Sequence, residues 1–110
     1  MTSPDSPFIY LVFVEVDPKR GKPYLEWQDK KHIDEVLTDP AFLWVRKVKL
    51  MRAADDGWER YVVLYGVRSF EDFQKYRESP LFSGFAVELQ KFQGTFRINR
   101  FIGEVVLAKN

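Results

Sequence analysis

Residues 8–16, with the sequence FIYLVFVEV, constrain the fold more than any other segment of the chain. β-Branched and aromatic residues dominate this segment, as is typical of a β-strand. Successive side chains of a strand point to opposite faces, so Tyr10 and Val12 share one face. Leu11 and Phe13 lie on the other. Because both faces are apolar, we expect this strand to be covered on both sides.

The composition limits what such a strand can belong to. The chain has 110 residues, enough for one domain, and no cysteine, which excludes disulfides, iron–sulfur clusters and thiolate nucleophiles. Its single histidine excludes a multi-histidine metal site within one chain, and we predict no metal and no cofactor. The net charge of +1 gives no overall field that would attract nucleic acid or an anionic membrane, so neither is predicted as a partner.

The first seven residues differ in composition from the rest of the chain. Residues 1–7 are small, polar and proline-containing, and we predict a disordered tail there and a single domain over residues 8–110. The tail lacks the basic start and apolar stretch of a signal peptide, which leads us to expect a cytoplasmic protein.

The other elements follow from hydrophobic periodicity and from turn and capping residues. Ser69, with Asp72 three positions later, is a typical start of a helix, and Ser79-Pro80 is a second one. Asp56-Gly57 indicates the turn of a hairpin. In chain order we predict a helix over residues 24–38, strands over 42–52 and 58–67, helices after Ser69 and after Ser79, and a strand over 95–107.

This β-α-β-β-α-β order predicts an α+β, ferredoxin-like domain, in which two helices cover one face of a four-stranded antiparallel sheet. The other sheet face would be left open. Because aromatic and branched residues also occupy that face, a monomer would expose a large apolar patch. We therefore expect a homodimer in which the two open faces meet.

Residues spread over nearly the whole chain resemble the dimeric α/β-barrel superfamily, and more narrowly a bacterial branch of unknown function. The resemblance rests on Trp27, residues 32–37, 61–65 and 69–76, Lys91-Phe92 and Arg100. It implies ferredoxin-like subunits that pair sheet to sheet. The superfamily includes cofactor-free monooxygenases, isomerases, haem-degrading enzymes and dye-type peroxidases, so the resemblance does not imply one activity.

His32 is the candidate catalytic residue. At 100° per residue it falls at the rim of an apolar helix stripe formed by Leu25, Ile33 and Val36, and Asp29 lies in the middle of that stripe. A half-buried histidine oriented by a carboxylate can act as a general base near neutral pH. The alternative is a structural role for both residues, with Asp29 facing water.

Aromatic and basic residues on the strands are the candidate ligand-binding groups. Aromatic side chains with polar tips are typical of small-molecule pockets and equally of cores and interfaces. Arg46, Arg97 and Arg100 are strand arginines able to bind a carboxylate, and we favour Arg46 because Trp44 and Val48 flank it. The predicted ligand-binding set is Tyr10, Trp44, Arg46, Tyr61 and Tyr65.

Three function classes remain open at this point. The first is a binding or structural module whose cavity takes a small apolar or aromatic molecule. The second is a cofactor-free enzyme, such as a monooxygenase or isomerase, with His32 as base. The third is haem binding with His32 as axial ligand.

Overall fold

A computed structural model describes residues 6–110 of the chain. The predicted tail over residues 1–7 lies mainly outside these described residues. The predicted β-α-β-β-α-β order is confirmed. The elements are β1 (Phe8–Val16), α1 (residues 22–36), β2 (Phe42–Lys49), β3 (Glu59–Val67), α2 (Phe70–Arg77), α3 (Pro80–Leu89) and β4 (Phe96–Glu104).

The four strands form one antiparallel, open sheet in the order β2-β3-β1-β4. The doubly apolar β1 lies in the interior of the sheet, between β3 and β4. Tyr10 pairs with Tyr65 of β3 on one side and with Ile102 of β4 on the other, while Val12 pairs with Val63 and Arg100. These pairs fix which side chains share a face.

The helices cover the sheet face that carries Tyr10, and the main core lies between the two layers. Ser69 and Ser79 cap α2 and α3 as predicted, with side-chain oxygens that accept hydrogen bonds from the backbone N–H groups of Asp72 and Phe82. The buried core consists mainly of Tyr10, Val14, Val16, Tyr24, Val36, Phe42, Val63, Tyr65, Phe73, Tyr76 and Phe85.

The opposite sheet face carries aromatic side chains that none of the described helices covers. Phe13 and Phe101 meet edge to face with ring centroids 5.8 Å apart, yet they remain 38% and 56% exposed. On the same face, Leu11 of β1 pairs with Phe101 of β4 on one side and with Leu64 of β3 on the other. The prediction that the sheet is apolar on both faces is confirmed, and within residues 6–110 no helix packs on the second face.

The expected alternation along β2 is wrong at its start. Alternation along a regular strand would place Phe42 and Trp44 on one face, but an irregularity between them shifts the register. Phe42 joins the core beneath the helices, whereas Trp44 lies on the open face above Gly66. A side chain at position 66 would place its first carbon 2.2 Å from the indole Nε1, so Trp44 requires glycine there.

The expected face of α1 is confirmed at Leu25, Ile33 and Val36 but wrong at Asp29, because the helix is not uniformly α-helical. Its α-helical turns, Lys22–Trp27 and Ile33–Val36, flank a π-helical segment, Gln28–His32. A π turn closes over one more residue than an α turn, so it changes which residues share a face. The buried positions are Tyr24, Gln28 and Val36, and Asp29 is exposed.

Candidate functional site

A cavity of about 170 Å³ lies between the helical layer and the sheet. Its walls are mainly aliphatic and aromatic, with polar groups contributed by β1, β3, β4 and α1. The principal lining residues are Tyr10 and Val12 of β1, Val63 and Tyr65 of β3, Ile98 and Arg100 of β4, Gln28 and His32 of α1, and Phe82, Phe85 and Leu89 of α3. An apolar cleft with a few converging polar groups is the usual form of a small-molecule site.

His32 is held between two aromatic rings. Its imidazole stacks on Trp27 at 4.5 Å and meets the edge of Phe85 at 4.3 Å. The Trp27 indole N–H donates to the Glu88 carboxylate at 3.2 Å, and Lys31 pairs with the same carboxylate. These contacts tie α1 to α3 and fix the imidazole beside the cavity.

The environment of His32 keeps it neutral. Burial disfavours the charged form, and together with the nearby Arg100 cation it lowers the pKa of His32 from 6.5 to about 4. The Nδ1 atom is buried and has no hydrogen-bond partner within residues 6–110. At neutral pH the imidazole therefore lines the cavity as an uncharged group able to accept a proton.

Gln28 supplies a second polar group from the same segment of α1. Its side chain is almost fully buried, with the residue 2% exposed, and its amide nitrogen donates to the Tyr24 hydroxyl at 3.2 Å. The amide oxygen has no partner among the described residues. Gln28 thus carries an unused hydrogen-bonding atom at the buried side of the cavity.

Arg100 is the cation of the site. It pairs with Val12 in the sheet, lines the cavity, lies beside the Tyr10 phenol and is itself exposed, which places it at the cavity opening. It forms no ion pair with any carboxylate of residues 6–110. An unpaired guanidinium beside an aromatic-lined cavity is suited to a carboxylate or other anionic group.

Three tyrosines of the site remain protonated. Burial raises the pKa of Tyr10, Tyr65 and Tyr76 above the ordinary phenol value, although the charge of Arg100 partly opposes this effect at Tyr10 and Tyr76. Their hydroxyl groups are therefore neutral hydrogen-bonding groups and not phenolates. Together with His32, they give the site no negative charge to compete for Arg100.

The structure brings some of the predicted site residues together and separates others. Tyr10, Tyr65 and His32 all line the cavity. Asp29 does not orient His32, because its carboxylate pairs instead with the Lys47 ammonium at 2.6 Å. The predicted His32–Asp29 pair is thus replaced by a link between α1 and β2.

The remaining predicted ligand-binding residues lie away from the cavity. Trp44 is on the open sheet face, and the Arg46 guanidinium lies 5.7 Å from the centre of its ring while donating to the Val45 carbonyl at 2.8 Å. The Tyr61 hydroxyl donates to Glu59 at 3.1 Å. No role at the cavity is supported for Trp44, Arg46 or Tyr61.

Sequence reasoning missed Gln28 and preferred Arg46 to Arg100. The sequence does indicate that Arg100 faces the core, because it alternates with Ile98 and Ile102 and so shares the apolar side of β4. Arg97 alternates instead with Asn99 on the open face, where it pairs with Glu15 and Asp56. For Gln28 no comparable signal exists, since its burial depends on the π-helical segment.

Within residues 6–110, no three histidine or acidic side chains are grouped so as to hold a metal ion. None of the described helices has the length and apolar character needed to cross a membrane.

The fold has close structural counterparts of low sequence identity. HapK from Hahella chejuensis superposes with a TM-score of 0.70 at 11% identity, covering 94% of this chain and 96% of that one. A dimeric ferredoxin-like protein from an uncultured marine organism gives 0.68 at 16% identity, with 93% and 97% covered. A hydroxynitrile lyase from Passiflora edulis gives 0.66 at 14% identity, with 96% and 100% covered.

The fold and its cavity therefore define a ferredoxin-like domain of the kind found in dimeric α/β-barrel proteins. At such identities the likeness establishes the fold and not the activity. The chain belongs to the family described as "Domain of unknown function (DUF4286)", whose sequence model matches residues 7–104. No curated protein matches the sequence.

Proposed function

We propose that this protein binds a small aromatic or apolar molecule that carries an acidic group. The observation that carries the proposal is the unpaired Arg100 guanidinium at the opening of an aromatic-lined cavity. The neutral His32 and the protonated tyrosines leave that cation without a competing anion in the site. An aromatic acid would place its ring among the apolar walls and its carboxylate on Arg100.

The size of the cavity limits the ligand to about one ring. Apolar cavities of about 150 Å³ are known to hold benzene, and this one has about 170 Å³. A haem macrocycle is several times larger than one ring. The imidazole of His32 is moreover enclosed by Trp27 and Phe85. The cavity therefore does not support haem binding through His32.

Benzoate is the probe that tests the proposal, with binding followed by titration calorimetry. We expect wild-type protein to bind benzoate and the Arg100→Gln variant to bind it at least about tenfold more weakly, since hydrogen bonds to charged groups contribute about 1.5–3 kcal/mol. Arg97→Gln is the matched control, because Arg97 lies on the same strand but faces the open side. Absence of benzoate binding, or equal affinity in the Arg100 variant, would contradict the proposal.

A second candidate function is proton abstraction without a cofactor, as in an isomerase or a cofactor-free monooxygenase. It is favoured by one arrangement: the neutral imidazole of His32 and the Arg100 cation line the same cavity. His32 would take a proton from a carbon next to a carbonyl group. The negative charge left on the resulting enolate oxygen would be stabilised by Arg100.

Phenylpyruvate is a suitable probe for this second candidate, since it combines a ring, a carboxylate and acidic C–H bonds. We expect the protein to accelerate exchange of those hydrogens in heavy water, observed by proton NMR, and His32→Phe to abolish the acceleration. The side chain introduced by His32→Phe keeps an aromatic ring stacked on Trp27 but has no nitrogen that could accept a proton. Exchange at the buffer rate with wild-type protein would argue against enzymatic proton transfer.

We further propose that two copies of the chain pair through their open sheet faces. The exposed Phe13 and Phe101 form an aromatic patch on a face that no helix covers. Soluble monomers rarely leave such a surface in water. A two-fold arrangement would cover both patches at once, and one structural counterpart is described as dimeric.

A further inference from the structure

We infer that the buried side of the cavity recognises a hydroxyl group on the ligand through Gln28 and His32, so that the preferred ligand is a hydroxylated aromatic acid. This inference rests on the proposed binding function and adds a substrate class to it. Arg100 would hold the acid at the opening. Gln28 and His32 would select a second polar group on the ring.

The first support is the state of the Gln28 amide. A buried amide has a donor end and an acceptor end, and Tyr24 contacts only one of them, at 3.2 Å. Because the Tyr24 hydroxyl can donate or accept, reversing the amide would simply leave the other end without a partner. A buried polar group without a partner costs about 1–3 kcal/mol. A residue held at this cost beside a cavity indicates a partner within the cavity.

The second support is that His32, four residues after Gln28, also has a buried polar atom without a hydrogen-bond partner among the described residues. Its Nδ1 atom is buried without a partner in the described chain, and the same ring lines the cavity. Gln28 and His32 are the first and last residues of the π-helical segment of α1. Such segments are rare and occur frequently at functional sites. Here both residues that carry unused polar atoms line the same cavity.

A hydroxyl group matches this pair better than other simple substituents. It donates one hydrogen bond and accepts others, so it can donate to the Gln28 oxygen. It can also donate to or accept from Nδ1 of a neutral imidazole, whichever nitrogen carries the proton. A methyl group or a ring hydrogen would leave both polar atoms unsatisfied.

The binding experiment compares benzoate with its ortho, meta and para hydroxy derivatives on the same protein. We expect at least one isomer to bind wild-type protein about tenfold more tightly than benzoate, the discrimination that one satisfied buried hydrogen bond provides. In Gln28→Leu this preference should disappear, so that the variant binds the preferred isomer no more tightly than it binds benzoate. The exposed Gln74→Leu exchange is the matched control and should leave the preference intact.

A second measurement does not depend on the variant's folding. In wild-type protein, the side-chain amide signals of Gln28 should shift on addition of the preferred hydroxybenzoate and shift less with benzoate. If Gln28→Leu does not fold, Gln28→Met takes its place, because it matches the amide's length without its polar atoms.

The outcomes separate this inference from the proposed function. If benzoate binds but no hydroxy isomer binds more tightly, the hydroxyl recognition is wrong and the proposed binding function stands. If the preference survives in the Gln28 variants, the assignment to Gln28 is wrong. If none of the acids binds, the proposed function itself fails.

Discussion

At the scale of single residues, His32 shows how burial converts an ordinary imidazole into a neutral group of the site. Two aromatic rings and the cavity wall replace water around it, and the Arg100 cation lies nearby. The anionic Glu88 acts in the opposite direction, but burial has the larger effect on the pKa. Neutrality is therefore a consequence of packing and makes the protein sensitive to acid.

The pH dependence of stability follows from that pKa. Because the pKa of His32 falls from 6.5 to about 4 on folding, the unfolded chain binds the extra proton between these values, and stability is lost as the pH falls. At about 1.4 kcal/mol per pKa unit, the loss reaches about 3 kcal/mol by pH 4. We expect urea unfolding at a series of pH values to show this decrease in the free energy of unfolding.

The matched variant is His32→Phe, which keeps an aromatic ring between Trp27 and Phe85 but has no proton to bind. Its stability should vary less than that of wild type between pH 6.5 and pH 4, and the difference isolates His32 from the carboxylates. An imidazole pKa near 6.5, measured by NMR titration of the folded protein, would show that burial does not perturb the ring as described.

The site residues also show what sequence can predict at this scale. The sequence predicts His32 from its place at the rim of an apolar helix stripe and Tyr10 and Tyr65 as aromatic side chains with polar tips, and all three line one cavity. The pairing of Asp29 with His32 could not be tested by spacing alone, because it depends on where Lys47 of β2 lies. Partner choice between residues on different elements is a tertiary property.

At the scale of elements, strands were more predictable than α1. Strand β1 begins and ends at the predicted residues, since its apolar run determines both its type and its length. Helix α1 lies almost where it is predicted, and Ile33 and Val36 contact the core as expected, but the burial of Asp29 is predicted wrongly because the prediction uses 100° per residue throughout. Five π-helical residues invalidate that angle and bury Gln28 in place of Asp29.

The wrong prediction for the start of β2 has a similar cause, because it also assumes a regular element. Alternation assigns faces correctly only while the strand stays regular, and the shift between Phe42 and Trp44 moves the indole to the open face. Gly66, on the neighbouring strand, provides the space that the indole needs. Only the pairing of β2 with β3 reveals this relation, so a single strand's sequence could not predict it.

At the scale of the whole molecule, the sheet with one uncovered apolar face was predictable and the cavity was not. The face follows from alternation along four strands, which is a local property. The cavity depends on how far the helices stand from the sheet, and so on the combined packing of Tyr76, Phe82 and Phe85 against β1 and β3. No single segment of the sequence contains that information.

The uncovered face leads to the prediction for the intact protein. Wild-type protein should have the mass of two chains, twice 13.0 kDa, in a non-denaturing mass spectrum. Phe101 is 56% exposed on the open face, so Phe101→Glu would bring a carboxylate from each copy into the apolar contact. Burying such charges without partners is costly, and we expect the variant to have the mass of one chain.

Val87 provides the matched control for this experiment. It is 66% exposed and belongs to α3, in the layer that covers the other side of the sheet. Val87→Glu therefore adds the same charge to an equally accessible apolar position away from the proposed contact, and it should leave the two-chain mass unchanged. A single-chain mass for wild type would contradict pairing through the open face, whereas dissociation by both variants would place the contact elsewhere. Because the cavity lies within one chain, between its own helices and sheet, the monomeric Phe101→Glu variant should still bind benzoate.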